Sequence, residues 1–391
     1  MRKKVCIGDL GTIITGKTPS KTNKSYYGNY VAFIKPTDIS EDSKFTYETE
    51  EMYSKLAAEK YKSSLIPKGA ICIPCIGTIG TKMTMTHCAC YTNQSINTII
   101  CNENYDNEYV YYLMKNFLPN LKSYNLGTAS GREFISKSNF EKIEIVAEQN
   151  KNIQKEIGKF LSRYDSLIEN YQKQIKLLEE SAQRLYKEWF VDLRFPGHEN
   201  TKIVDGIPEG WKKKKLVDMV DVQYGYAFDG KLFNSNSEGM PILRIRNIPD
   251  GITSDYTTEE AQDCYIVHNG DIVVGMDGIF HINSWSGGDA YLVQRACSFR
   301  PKEECMKGFI FQAIQEPIKF FEKTLVGATV AHLGKKHIDS IELCIPKNFE
   351  LYKPFSKFYN QRQGLLSQIR HLTEARDRLL PKLMSGEIKI N

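Results

Sequence analysis

Residues 153–190 read IQKEIGKFLSRYDSLIENYQKQIKLLEESAQRLYKEWF. Apolar and aromatic side chains recur at Ile157, Leu161, Tyr164, Ile168, Tyr171, Ile175, Leu178, Ala182, Leu185 and Trp189. The steps alternate four and three, the a/d rhythm of a heptad, and predict one long helix over about Ile153–Phe190. A stripe that narrow must bury itself against another helix. Arg194-Phe195-Pro196-Gly197 marks its end, because Pro and Gly do not continue a helix.

The partner stands near the C-terminus. Phe358, Leu365, Ile369, Leu372, Leu379 and Leu383 keep the rhythm there, Arg362 and Arg376 interrupt it, and Pro381 is expected to kink or end the helix. Each helix covers about 30–35 residues, roughly 50 Å at the usual rise. The residues expected to pair the two are Leu161, Ile168, Ile175, Leu178, Leu185 and Trp189 on the first, with Leu365, Ile369, Leu372 and Leu379 on the second.

What precedes each helix is also alike. From Val5 to about Ile145, short apolar strings (Val31–Ile34, Ala70–Ile73, Ile96–Cys101, Ile143–Val146) are broken by Gly, Pro, Asn and Thr. They predict a strand-rich domain with a few short helices, one around Glu108–Leu118. A polar connector with Pro208 and Gly210 leads to Trp211 and a second stretch that overlays the first. Gly16 falls on Gly225, Phe33-Ile34-Lys35 on Ile242-Leu243-Arg244, and Asp38-Ile39 on Asn247-Ile248. Gly69-Ala70-Ile71 then meets Gly270-Asp271-Ile272, Gln94 meets Gln294, and Leu126-Gly127-Thr128 meets Val326-Gly327-Ala328. Phe140, Ile143 and Ile145 match Ile338, Ile341 and Leu343, and Lys159-Phe160 matches Lys357-Phe358.

Any one of these matches could be chance; their collinearity argues for a duplicated fold. The expected class is α+β: two strand-rich α/β domains alternate with two long helices that pair as an antiparallel coiled coil, with approximate two-fold symmetry. The expected segments are a first domain at 1–150, a helix at 151–194, a linker at 195–211, a second domain at 212–348 and a closing helix at 349–391.

With 391 residues, 41% apolar and 25% charged, the chain has room for two or three cores of ordinary soluble composition. No apolar run approaches the roughly 20 residues needed to span a bilayer. Met-Arg-Lys-Lys-Val-Cys at the start lacks an apolar signal core, and ten cysteines on such a length form no disulfide scaffold. A reducing cytoplasm is the expected location, with no membrane partner. The formal charge of +5 permits nucleic acid as a partner without requiring it. Local basic runs such as Lys212–Lys215 and Lys335-Lys336 suit either a solvated surface or a binding face.

Candidate chemistry is sparse. Gly11-Thr-Ile-Ile-Thr-Gly16-Lys17-Thr18 fits the phosphate-loop pattern, but that motif needs a helix behind it. Here Pro19 and a polar stretch through Tyr30 follow, so a tight turn is expected instead. Cys72, Cys75, Cys88 and Cys90, with His87, have spacing that invites zinc. Cys72 and Cys75 align with Val273 and Met276, which reads as plain core, so no metal is expected. No Gly-rich cofactor loop, no Asn/Asp-Pro-Pro-aromatic motif of amino-methyltransferases and no HExxH or GxSxG is present. Lone histidines such as His281 and His332 read as ordinary hydrogen-bonded side chains. The chain reads as a binder.

Polar turns at matching places in both repeats supply the candidate binding residues. In the first they are Lys17, Lys35, Lys82, Asn93, Gln94, Ser130 and Arg132. In the second they are Arg244, Arg246, Asn247, Gln294, Arg295, His332 and Lys335. Arg and Lys can fork onto guanine, Asn and Gln onto adenine, and Ser, Thr and Lys suit phosphate oxygens. Any one of these residues could merely decorate a loop; their recurrence in both repeats strengthens the group as a binding face.

Two passages resemble a known family. Leu177-Leu-Glu-Glu-Ser-Ala-Gln-Arg-Leu-Tyr-Lys-Glu-Trp-Phe-Val-Asp-Leu-Arg-Phe-Pro196, followed by Ile207-Pro-Glu-Gly-Trp211, is similar to the central conserved region of specificity (S) subunits of Type I restriction–modification systems. Gly16-Lys-Thr-Pro19 resembles the start of their target recognition domains, and Leu379-Leu-Pro-Lys-Leu-Met-Ser-Gly-Glu-Ile388 their C-terminal ending. The resemblance implies a non-catalytic subunit in which each domain reads one half of a split double-stranded DNA target. It also implies that the helices act as spacer and dock two adenine-N6 methyltransferase subunits, which restriction and translocase subunits can join. S-adenosylmethionine, and ATP with Mg where restriction subunits are present, would then bind those partners, with no cofactor on this chain. Two other readings stay open on the residues alone: a coiled-coil scaffold without DNA specificity, and a zinc enzyme with a disguised site.

Overall fold

Turn residues and short apolar strings alternate closely in both halves of the chain, and both halves fold to the same plan. The structure is a computed structural model that describes residues 1–77, 79–125, 133–325 and 331–390. It divides into two compact units, Met1–Asn170 with Arg370–Asn391, and Tyr171–Ile369. Each unit therefore takes part of both long helices.

In the first unit, Gly11–Thr15, Ile96–Cys101, Ile71–Pro74 and Thr84–Met85 form an antiparallel sheet in that order. A smaller sheet orders Glu51–Tyr53, Tyr27–Ile34 and Tyr91–Thr92. Arg2–Cys6 pairs antiparallel with Glu144–Glu148, the strand that leads into the first long helix. The second unit repeats this. Val220–Tyr224, Ala296–Pro301, Ile272–Gly275 and Ile282–Ser284 form the matching four-stranded sheet, and Trp211–Lys215 pairs with Glu342–Pro346. Its smaller sheet has five strands, with Met240–Leu243 and Ala290–Leu292 at the centre. Ile71–Pro74 and Ile272–Gly275 are buried along their whole length, as an unbroken apolar run requires, whereas Glu144–Glu148 alternates as a one-sided strand.

The cores explain where the long helices begin. In the first unit Ile71, Ile73, Ile99, Tyr109, Tyr112 and Phe140 pack with Ile157 and Leu161 of one long helix and Leu380, Leu383 and Met384 of the other. In the second unit Ile272, Phe299, Phe309 and Ile310 pack with Phe190, Phe355 and Tyr359. The helices are thus rooted in each core.

The first long helix runs Lys151–Tyr186 and ends in a wide π turn at Lys187–Val191, after which Leu193 sits in the left-handed region at φ 57°. The expected stop at Arg194–Gly197 lies just beyond. The second runs Lys353–Ser385. Pro381 lies inside it and does not end it. Only one turn lies beyond the proline, and that turn is held by the buried side chains of Leu383 and Met384. Its terminal carbonyls are also satisfied: Arg2 donates from Nε to the Met384 carbonyl and from Nη2 to that of Leu383, each at 2.7 Å.

In the first unit the start of one helix meets the end of the other, and in the second unit the reverse holds, so the pairing is antiparallel. All ten seam positions of the first helix are buried or partly buried. On the second helix Arg362 and Arg376 depart from expectation, being buried. Phe355, Tyr359, Arg362, Arg376, Leu380, Leu383 and Met384 are buried, and Leu365, Ile369, Leu372 and Leu379 are partly buried. The two arginines do not interrupt the seam; they lie in it.

One glycine per unit lets a long helix approach a short one. A Cβ on Gly158 would stand 2.8 Å from the Tyr109 nitrogen, and one on Gly308 would stand 2.1 Å from the Phe355 carbonyl oxygen. The glycine comes from the long helix in the first repeat and from the short helix Lys307–Ala313 in the second. Gly308→Ala should therefore cost about 1–3 kcal/mol by overpacking. Gly364→Ala, whose Cβ meets nothing within 4 Å, should be neutral or gain up to about 1 kcal/mol of helix propensity. Denaturant unfolding of the full chain checks the pair; equal effects would refute the close-approach role.

Candidate nucleic-acid interface

The candidate turns are brought together by backbone hydrogen bonds that recur in both units. In the first, the Lys17 amide donates to the Thr92 carbonyl at 2.9 Å and the Asn93 amide to the Ile34 carbonyl at 3.1 Å, just before Lys35. In the second, Tyr226 donates to Leu292 at 2.9 Å, Val293 to Leu243 at 3.0 Å just before Arg244, and Gln294 to Tyr226 at 2.8 Å. A Cβ on Gly16 would lie 2.1 Å from the Thr92 oxygen, and one on Gly225 would lie 2.1 Å from the Val293 oxygen. Gly16 is therefore required by the close approach of two chain segments. Gly11–Thr15 is a strand, and Lys17–Pro19 follow it outside any helix, so the phosphate-loop pattern is a turn.

Within this frame the side chains divide by what already holds them. Lys35 is paired with Glu50 at 2.5 Å and Glu51 at 3.5 Å. Its amide donates to Asp38 Oδ2 at 2.7 Å, and the matching Arg244 amide donates to Asn247 Oδ1 at 2.9 Å. Asn247 thus caps its own turn with the oxygen that a base would otherwise meet. Arg244 lies over the Phe233 ring at 5.3 Å, and Arg246 forks onto Asp255 at 2.5 and 3.2 Å. Asn93 likewise accepts from the Ser95 amide at 3.1 Å, and Gln94 accepts from the Thr18 hydroxyl.

Lys17, Gln294 and Lys335 are exposed, Lys82 is partly buried, and Lys335 opens the short helix Lys335–Asp339. Ser130 and Arg132, together with Gly127, Thr128 and Thr329, lie outside the described residues.

Arg295 and His332 form the tightest group. Arg295 Nε lies 3.2 Å from Asp277 Oδ2, and His332 Nδ1 lies 2.5 Å from Asp277 Oδ1. Asp277 escaped the sequence reading because its partners are distant in the chain; its repeat counterpart, Ile76, gave no hint of charge. Ile279, 61% exposed, stands on the same turn. Lys212, Lys213 and Lys215 are exposed along the strand Trp211–Lys215.

The cysteines are less suited to metal. Cys72, Cys75 and Cys90 are buried while Cys88 is exposed. Burial pushes the Cys72 and Cys75 thiols up to about 12, which disfavours the thiolate a metal needs. Among the described residues no group of three His, Cys, Asp or Glu side chains is placed to hold a metal ion. No helix among them is long and apolar enough to cross a membrane.

Residues 2–180 and 208–371 match the family described as the Type I restriction modification DNA specificity domain. The Type I restriction enzyme MjaIX specificity subunit of Methanocaldococcus jannaschii is 27% identical over 423 aligned positions, covering 98% of this chain and 93% of that protein. The HindI specificity subunit of Haemophilus influenzae is 35% identical over 176 positions, covering 44% of this chain and 38% of that protein. Among solved structures, the Type I restriction–modification S subunit from M. genitalium superposes with a TM-score of 0.58 at 18% identity, over 98% of this chain and 96% of that one. That likeness concerns the fold.

Proposed function

The chain belongs to the family of Type I restriction–modification DNA specificity subunits, and on that premise we propose that its two domains read the two unlike halves of a split, asymmetric DNA target. As a specificity subunit it recognises DNA sequence and is not itself the enzyme; the complex carries the activity. The observation that supports the finer reading is one frame carrying different side chains. Lys35 stands where Arg244 does, Ser95 where Arg295 does, and Phe134 where His332 does. Two identical readers would call for matching side chains; these two should prefer different bases.

The long helices, of 36 and 33 residues, then set the unread gap between the half-sites. They also dock two adenine-N6 methyltransferase subunits, joined by restriction subunits in systems that have them. Leu177, 62% exposed in the first helix, is suited to such a contact. Leu161, Ile168, Ile175, Leu185 and Trp189 serve the pairing itself. S-adenosylmethionine would bind the methyltransferase partners, and ATP with Mg the restriction partners. Extruding the adenine would fall to the methyltransferase, while this chain holds the duplex in register. A scaffold without DNA specificity is disfavoured by the family match, and a zinc enzyme by the burial of Cys72, Cys75 and Cys90 away from the exposed Cys88.

Phosphate contacts should make binding steeply salt-dependent. With six to ten contacts, affinity for target DNA should fall roughly 10³- to 10⁵-fold between 50 and 200 mM salt. An affinity that stays flat across that range contradicts the proposal.

A further inference from the structure

We propose that Asp277 is a positioning residue that holds Arg295 and His332 as a two-pronged reader of one G·C base pair in the half-site of the second domain. The inference rests on the DNA-reading role proposed above. The Asp277 carboxylate is 21% exposed, while the side chains it grips, Arg295 and His332, are 68% and 60% exposed. A carboxylate facing a polyanion is repelled by it. Its presence in such a face is intelligible where it orients donors that do the reading.

The backbone around it is a frame that both repeats build. The Met276 amide donates to the Arg295 carbonyl at 2.8 Å, Leu333 to Met276 at 2.8 Å, and Gly278 to Ala331 at 3.0 Å. In the first repeat Cys75 donates to Ser95 at 2.7 Å, Ile135 to Cys75 at 2.9 Å, and Gly77 to Glu133 at 3.0 Å. The positions of Asp277, Arg295 and His332 are there held by Ile76, Ser95 and Phe134. The frame therefore folds without the charged trio. Arg295 is also held in the left-handed region at φ 69°, a conformation that non-glycine residues adopt at a cost and that clusters at functional positions.

The chemistry of the grip selects the base pair. With Nε turned toward Asp277 in an ion pair at 3.2 Å, the edge of the guanidinium that faces away for a bidentate contact is its Nη1–Nη2 end, which matches guanine O6 and N7. The Asp277 carboxylate accepts from His332 Nδ1, so in the neutral ring Nε2 is an acceptor. An acceptor beside that arginine suits the N4 amino group of the cytosine paired to the same guanine.

The test uses the complete methyltransferase complex and maps its methylated motif genome-wide, with this chain as wild type, Arg295→Lys, Asp277→Asn, and the triple variant Asp277→Ile, Arg295→Ser, His332→Phe. Arg295→Lys keeps the charge on an exposed residue but loses the fork. The expected result is a wild-type motif with a G·C pair in one half-site that becomes degenerate in all three variants. Discrimination at that single position should fall about tenfold or more, with the other half-site unchanged. The triple variant should still assemble an active complex, because the first repeat folds with those residues. A motif that Arg295→Lys and Asp277→Asn both leave intact overturns the reader, as does a uniform loss of methylation at all sites in Arg295→Lys. A wild-type complex without any sequence preference overturns the DNA-reading role as well.

Discussion

Replacing Arg376 by alanine should lower the stability of the first unit by about 3–5 kcal/mol, the usual cost of breaking a buried ion pair from one side. Arg376 and Asp165 are each only 8% exposed at the side chain, with Nη1 and Oδ1 2.5 Å apart. The other Asp165 oxygen accepts from the Tyr112 hydroxyl, and Arg376 Nε donates to Asp377 at 2.8 Å. Without the guanidinium, the buried carboxylate keeps the Tyr112 hydroxyl bond and the nearby charge of Lys115 but loses its ion pair. The repeat indicates the remedy. Leu178 and Gln363 hold the corresponding places in the second unit, so the double variant Asp165→Gln, Arg376→Leu should recover most of the loss. Denaturant unfolding of the full chain measures both. A single variant that costs less than about 1 kcal/mol, or a double variant as weak as the single, would refute the account of this pair.

The second large effect is functional. Exchanging residues 212–348 for the corresponding segment of a relative with a different target should replace one half of the methylated motif completely and leave the other half and the gap unchanged. The exchange keeps Phe190, Phe355 and Tyr359, the long-helix residues that pack into the second core, so the incoming domain meets its usual seat. A motif altered in both halves, or in neither, would contradict the assignment of one half-site to each domain.

Much of this architecture was legible because hydrophobic period is a local signal. The ten seam residues from Ile157 to Trp189 predicted one helix, and Lys151–Tyr186 is one helix. On the second helix Arg362 and Arg376 read as breaks in the seam because a charged residue in isolation reads as surface. What buries Arg362 and Arg376 is Glu179 and Asp165, 183 and 211 residues away in the chain, and no local pattern announces such partners. The collinear glycines and strand strings exposed the duplication for the opposite reason: Gly16 and Gly225 answer the same close approach, so each repeat preserves them.

The site was less legible. Arg295 and His332 stood out as polar residues on turns, but Asp277, 55 residues from His332, did not. Asn247 also caps its own turn, at a spacing from Arg244 that Asp38 and Lys35 repeat. That spacing was present in the chain and marks the cap in both repeats.

Where the complex acts should be set by this chain. The most direct measurement is single-molecule methylome sequencing of the host with and without this chain. The expected result is a methyl-adenine motif of two unlike halves separated by an unread gap, present only when the chain is. A methylome identical in the two strains would contradict it.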